Sequence, residues 1–301
     1  MKLLTGIFLS SLVIPAMAGT IRHDTPDDEY RAFGGWQNLA PVGAIIGGSN
    51  EGYYGCSGTA ISTHWMLTAA HCVDKATSVD FYLRNQQGGY TAYQGSNWLA
   101  HEKFDEANLF AGWDIGLVHF DQALDVAPAK LYQGNNELGG LGVIAGFGTS
   151  GDGLGGVTSP FGVKRAGVNL ISYAFSTEGD GQQLLFGDFD PPADDNPNGA
   201  WDFFEDGYAL PYEYSPAFGD SGGGMFIWEN NELYLAGVAS FILDLNQNDV
   251  DADYGDGFAE TRVSSLWGWI HNKTSSVPEP GTVPLAVISL ALLGWRRRAG
   301  K

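Results

Sequence analysis

Three stretches of this sequence carry side chains that could attack and open a carbonyl bond. The first is Phe218-Gly219-Asp220-Ser221-Gly222-Gly223, a hydroxyl set between glycines. Glycine lets the backbone take positive φ and lets a substrate carbonyl come close. The N–H groups of Gly219 and Ser221 could then aim at one point, as in an oxyanion hole. The second is Leu67-Thr68-Ala69-Ala70-His71-Cys72, which holds one of the six histidines. The third is Gly112-Trp113-Asp114-Ile115-Gly116-Leu117-Val118, an acid leading into an apolar run. Each has a plainer meaning alone. In a chain with 43 glycines a Gly-rich turn is commonplace, a lone histidine is more often simply packed, and an aspartate before a strand is more often a turn residue. Together they supply a nucleophile, a base and an acid to orient the base, the parts of acyl transfer through a serine.

These groups need a frame to hold them. Short β-rich runs alternate with Gly, Asn and Asp turns from Pro41 onward: Val42 to Ile46, Thr59 to Ser62, Met66 to Ala69, Ser78 to Arg84 and Ile115 to Phe120. After a Gly- and Asn-rich stretch a second set follows: Gly142 to Gly146, Gly162 to Ile171, Gly223 to Trp228, Leu233 to Phe241 and Gly257 to Val263. Many short strands with frequent turn signals predict an all-β sandwich or barrel. Only Ser264 to His271 reads as helix. The stretch from Gly19 to Asn38 is polar and acidic and reads as an N-terminal extension. The chain has 15 basic and 35 acidic residues, a net charge of −20. That sign excludes a nucleic-acid binder and suits solubility or cation binding outside the cell.

The termini read as addresses. Lys2, an apolar run from Leu3 to Ile14 and the small residues of Ala16-Met17-Ala18 have the three parts of a secretory signal peptide, residues 1–18, with the mature chain starting at Gly19. In an exported chain the two cysteines, Cys56 and Cys72, suggest one disulfide. The C-terminus reads Val277-Pro278-Glu279-Pro280-Gly281, then an apolar run 283–295, then Arg296-Arg297-Arg298. The run is shorter than the about 20 residues of a bilayer span, but flanking Trp295 and arginines can extend it, with the arginines cytoplasmic. This tail resembles the PEP-CTERM sorting signal of Gram-negative bacteria. The resemblance implies an inner-membrane segment before processing and an exosortase-type enzyme as partner. It places the protein in the cell envelope, on the surface or outside the cell.

The three chemical stretches, in the order His, Asp, Ser, resemble the trypsin/chymotrypsin-like serine proteases. Thr68 to Cys72 matches Thr-Ala-Ala-His-Cys, Gly219 to Gly223 matches Gly-Asp-Ser-Gly-Gly, and Asp114 to Leu117 matches Asp-Ile-x-Leu. Ala145-Gly146-Phe147-Gly148 resembles the Gly-Trp-Gly that opens the second barrel. The resemblance runs from Pro41 to Asn272. It implies two six-stranded antiparallel β-barrels, at about 41–132 and 141–263, with a short C-terminal helix, inside a protease domain 41–272. Residues 19–40 are then an extension or short propeptide, and 273–301 a linker and sorting tail. It implies a disulfide between Cys56 and Cys72, beside the histidine. It assigns Ser221 as nucleophile, His71 as base and Asp114 as its orienting acid. Gly219 and Ser221 become the oxyanion donors, and Ser240 a hydrogen-bond donor to Asp114. Substrates are then proteins or peptides, with no cofactor needed for the chemistry. The alternative is a catalytically inactive relative serving as a surface binding module.

Some positions depart from the family pattern. A freed N-terminal amine often pairs with the acid before the serine, here Asp220. Ile45-Ile46-Gly47-Gly48 looks like an activation sequence but lies too close to Cys56. Cleavage between Thr20 and Ile21 is the better expectation. The pocket floor aligns with Ser215, which carries no charge. One wall aligns with Ile242 and the other with Phe258, with Phe218 and Phe241 also at the substrate. Such walls imply a shallow pocket for small apolar residues. Finally, Asp194, Asn196, Asn198, Asp202 and Glu205 have the spacing of an EF-hand-type calcium loop, with Gly199 at the turn. A solvated acidic loop is the competing reading there. A second acidic insertion, Asp249 to Asp256, lacks that turn glycine.

Overall fold

Some strands alternate inside and outside while others, such as Leu184–Asp188 and Gly257–Arg262, are buried throughout, and together they build two curled sheets. In Ser78–Arg84, for example, Val79, Phe81 and Leu83 are buried while the residues between them are more open, the period-two pattern of a strand with one face on a core. The computed structural model describes residues 19–195, 201–207, 209–248 and 252–275. The proposed signal peptide, the apolar run 283–295, and Asn196 and Asn198 lie outside the described residues.

Strands β1 (Gly19–Ile21), β2 (Val42–Ser49), β3 (Gly52–Ala60), β4 (Trp65–Thr68), β5 (Ser78–Arg84), β6 (Tyr90–Gln94), β7 (Asn97–Ala100) and β8 (Gly116–His119) come first. They are followed by β9 (Lys130–Leu131), β10 (Leu141–Gly146), β11 (Ser150–Asp152), β12 (Gly156–Ser159), β13 (Arg165–Leu170) and β14 (Tyr173–Phe175). The last are β15 (Leu184–Asp188), β16 (Tyr214–Ser215), β17 (Gly224–Glu229), β18 (Glu232–Leu243) and β19 (Gly257–Arg262). Helix α1 (Asp27–Gly34) precedes β2, and α2 (Val263–Ser275) follows β19. The first sheet runs β6-β5-β2-β3-β4-β8-β7. It closes over Ile45, Met66, Phe81, Val118 and Phe120, with the Cys56–Cys72 disulfide in the same core. The second runs β13-β10-β17-β18-β19-β15-β14, with β9 on β18. Its core includes Ile144, Leu185, Tyr214, Met225 and Phe258. The fold is mostly β, two curled sheets with two short helices. Ile45-Ile46-Gly47-Gly48 lies inside β2, paired with both β3 and β5, so it is a core strand.

Residues 19–40 are not a loose extension. Strand β1 pairs parallel with β11 and antiparallel with β16. Helix α1 then lies on β13, and a Cβ at Gly34 would come within 2.9 Å of the Arg165 main chain. Tyr30 is fully buried and donates to Glu213 O at 3.0 Å. Asp27 accepts from Arg165 Nε at 2.5 Å and Nη2 at 2.8 Å, and the guanidinium is wholly buried. The sequence hid this helix because its first turn is Asp27, Asp28 and Glu29. Acids there favour the positive end of the helix dipole, yet they read as a solvated stretch. The chain divides into two compact units, Met1–Leu266 and Trp267–Lys301. Of the second, residues 267–275 are described, the later turns of α2, with Trp267 stacked on His271. Among the described residues no helix is long and apolar enough to cross a membrane.

Replacing Asp27 by Ala leaves a buried guanidinium without its partner. Denaturant unfolding should show a loss of about 3 kcal/mol, the low end for a broken buried pair because Asp27 keeps some solvent. Asp28→Ala, at an exposed neighbour, should stay within about 0.5 kcal/mol.

Candidate active site

Strand β4 ends at Thr68 and the chain tightens into a 3-10 turn, Ala70–Cys72, which presents His71. The turn is held from both sides. Cys72 is bonded to Cys56 of β3, and Tyr54 Oη donates to Cys72 O at 2.6 Å. Facing it, Gly112 takes the left-handed conformation at φ 80° and ends another 3-10 turn, Leu109–Ala111. The chain thereby reverses and delivers Asp114 just before β8.

Asp114 is 1% exposed. Its Oδ1 accepts from His71 N at 3.0 Å. Its Oδ2 is 2.8 Å from His71 Nδ1 and accepts from Ser240 Oγ at 2.6 Å. An ionised carboxylate only accepts, so Nδ1 carries the proton and Nε2 keeps a free lone pair. Ser240 comes from the second barrel, at a register shift of β18 against β19 between Ala239 and Phe241. Such a shift turns one residue out of the regular ladder and leaves its hydroxyl to reach Asp114. Thr261 of β19 adds a bond from Oγ1 to Asp114 O at 2.8 Å.

Ser221 lies in the loop between β16 and β17, stitched to both barrels. Ser57 N of β3 donates to Ser221 O at 2.8 Å, and Gly222 N donates to Ala239 O at 2.8 Å. Gly222 sits at φ 82°, and a Cβ there would meet Thr68 Oγ1 at 2.0 Å. Only glycine allows this approach of loop to barrel. Gly219 is at φ 92° with its carbonyl held by Ser57 Oγ at 2.9 Å. Among the described residues the N–H groups of Gly219 and Ser221 and the Ser221 hydroxyl have no hydrogen-bond partner. Ser221 and His71 line one cleft of about 420 Å³ between the barrels, without a bond between them. Such bonds are often long until substrate binds.

The histidine feels opposing forces. Burial pulls its pKa down, but the charge of Asp114, the hydrogen bond to it and the charge of Glu106 win, so His71 titrates above its ordinary value. Asp220, 1% exposed, accepts from Ala217 N at 2.9 Å, Gly148 N at 2.8 Å and Tyr214 Oη at 3.2 Å. Burial still pushes it up to about 6.

The structure brings Phe218, Ser240, Phe241 and Ile242 to the cleft with His71 and Ser221. Ser215 is not among the lining residues. It is wholly buried in β16, paired with Thr20 of β1. Phe258 is packed into the second core beside Ile144 and Leu185 and is no pocket wall. The acidic insertion before it spoils any count along the chain. Glu106 and Leu109 do line the cleft. They lie between β7 and β8 in a stretch with no motif, so nothing in the sequence pointed to them. Ser57, which holds the serine loop, lies in β3 and likewise belongs to no motif. Ile21 is packed into the second core within β1. Ile21 is paired with Tyr214 of β16, and Gly19 lies against the Tyr214 ring, where a Cβ would overlap it. A new amine at Ile21 would therefore require dismantling β1. Of the expected calcium ligands, Asp202 accepts from Asp206 N and Gly207 N, closing its own turn. Asp194 and Glu205 are exposed.

Comparison with known proteins adds three findings. The trypsin family model matches residues 40–270, and the PEP-CTERM protein-sorting motif matches 276–298. A collagenase of Hypoderma lineatum is 25% identical over 230 residues, covering 74% of this chain and 77% of that protein. Chymotrypsin-like elastase family member 1 of Felis catus is 26% identical over 298 residues, covering 91% of this chain and all of the relative. The human protein of that name is 29% identical over 118 residues, 45% of its length. A solved HL collagenase structure superposes with a TM-score of 0.57 at 22% identity, covering 87% of this chain and 99% of that one, a likeness of fold.

A pH profile of kcat/KM should show its acid limb above about 6.5, the free-histidine value. Glu106→Gln removes one of the charges that favour the imidazolium, so the limb should move to lower pH. Ser240→Ala removes a charge-assisted bond to Asp114 and should lower kcat by about ten-fold or more.

Proposed function

The chain belongs to the trypsin family and is a serine endopeptidase, and from that premise we propose how this site performs the reaction. Ser221 Oγ attacks the peptide carbonyl while His71 Nε2 takes its proton and then gives it to the leaving amine. Asp114 holds the imidazole in the Nδ1–H tautomer and stabilises the imidazolium. The N–H groups of Gly219 and Ser221 receive the oxyanion, each such donor being worth about 2.7–4 kcal/mol. The carrying observation is the Asp114 carboxylate, shared by His71 and Ser240 from opposite barrels. The alternative of an inactive binding module gains no support from this arrangement.

The substrate reading is a small apolar residue before the cleaved bond. It is supported by the apolar cleft wall of Ala217, Phe241 and Ile242. The elastase names of several relatives point the same way. Activation follows from the same geometry. Removal of residues 1–18 would free the Gly19 amine beside Tyr214, whose hydroxyl reaches the buried Asp220. An ammonium there compensates the Asp220 charge, so export and activation become one cut. The sorting motif at 276–298 indicates export to the cell envelope of a Gram-negative bacterium, with an exosortase-type enzyme as processing partner.

A fluorophosphonate probe should label the exported chain, and Ser221→Ala should abolish labelling and lower kcat by about 10⁴-fold or more. Labelling that persists in Ser221→Ala sinks the mechanism. In a peptide library, cleavage should follow Ala, Val or similar residues; a dominant Arg or Lys preference would overturn the pocket reading.

A further inference from the structure

Away from the cleft, the second barrel holds carboxylates that catalysis does not use. Asp188 ends β15, Asp190 follows two residues later, and Asp206 returns from the long loop beyond. One carboxylate oxygen from each lies within 4.8 Å of the others. Asp188 is 1% exposed and Asp190 3%. Glu213, next to β16, is a further buried carboxylate.

These groups differ in how they are satisfied. Asp188 Oδ2 accepts from Phe203 N at 2.7 Å and Phe204 N at 2.9 Å. Asp206 Oδ2 accepts from Ser172 Oγ. Glu213 Oε2 accepts from Leu210 N at 2.6 Å. Asp190 Oδ1, by contrast, is buried and among the described residues has no hydrogen-bond partner. No Lys, Arg or His forms an ion pair with any of the four among the described residues. An orphaned acceptor at the meeting point of buried acids is costly in a protein that binds nothing there. A cation supplies what is missing, because it satisfies the orphaned oxygen and cancels the repulsion together. The donors are all oxygen, with no thiolate or imidazole, which selects a hard divalent ion.

We propose that Asp188, Asp190 and Asp206 bind a Ca²⁺ ion. The site is not the loop motif read from the sequence, because Asp202 of that motif spends both its oxygens on its own turn. It joins the end of a barrel strand to the far side of the insertion. The position has a consequence for the cleft. The chain returns from the insertion through β16 to Pro216, Ala217 and Phe218 of the cleft wall, and Asp188 is paired through Gly257 to Leu243, next to Ile242. The ion fastens the insertion to the barrel behind the substrate wall. This assignment stands independently of the catalytic roles.

The test is calorimetric titration and thermal unfolding of the purified full chain with CaCl₂ against EDTA. Binding is expected in the range of about 10⁻⁴–10⁻³ M or tighter, as for extracellular calcium modules, with a rise in Tm. Asp190→Asn should abolish both signals, yet be no less stable than the wild type in EDTA. Asp206→Asn, on the exposed loop side, should weaken binding at least ten-fold and decides the matter if Asp190→Asn does not fold. Asp202→Asn should retain binding. Absence of heat and of a Tm shift in the wild type overturns the proposal. So does binding that survives Asp190→Asn and Asp206→Asn but is lost in Asp202→Asn, which would return the ion to the loop motif. Fluorophosphonate labelling of Ser221 reads the catalytic site separately in every variant.

Discussion

A single buried carboxylate governs the geometry of this protein. Asp114 lies in the interior with donors around it: the main chain and ring of His71 and the hydroxyl of Ser240. Those donors arise from different barrels, so the site exists only when the barrels are docked. The bond at Nδ1 fixes which ring nitrogen is basic. The same charge lifts the histidine pKa against the opposing pull of burial.

Docking in turn depends on what is small. Gly222 abuts Thr68 and the Ser57 carbonyl, and Gly148 lies against Asp220, at distances where no Cβ fits. The glycines of the serine loop therefore serve two ends. They permit the positive φ that leaves the Gly219 N–H without a protein acceptor, and they let the loop lie against the first barrel. Ser57, bonded to Gly219 O and accepting from Phe147 N at 2.9 Å, links β3, the serine loop and the start of the second barrel.

The second barrel manages charge in contrasting ways. Arg165 and Arg262 are buried with matching carboxylates, Asp27 and Glu137, in two-pronged contacts. Such pairs add little net stability over apolar packing but make loss of either partner costly. Among the described residues Asp188, Asp190 and Glu213 have no such partners. In a chain of net charge −20, a divalent ion is the natural counterweight for acids held inside.

The chain alone determined the strand-rich fold, the disulfide pair and the three stretches that meet at the cleft. Those features are written in local chemistry: short β-rich runs between turn residues, glycines flanking a hydroxyl, and two cysteines in an exported chain. What touches what across the chain was decided by tertiary structure. Helix α1 was invisible because its acidic first turn mimics a solvated stretch, and its partner Arg165 lies 138 residues away. Glu106 and Leu109 reach the cleft from the stretch between β7 and β8, and Ser215 is buried in β16, paired with β1. The orphaned oxygen of Asp190 belongs to no motif at all. Its meaning comes from burial, and burial is a property of the folded chain, since every carboxylate in an extended chain is equally wet.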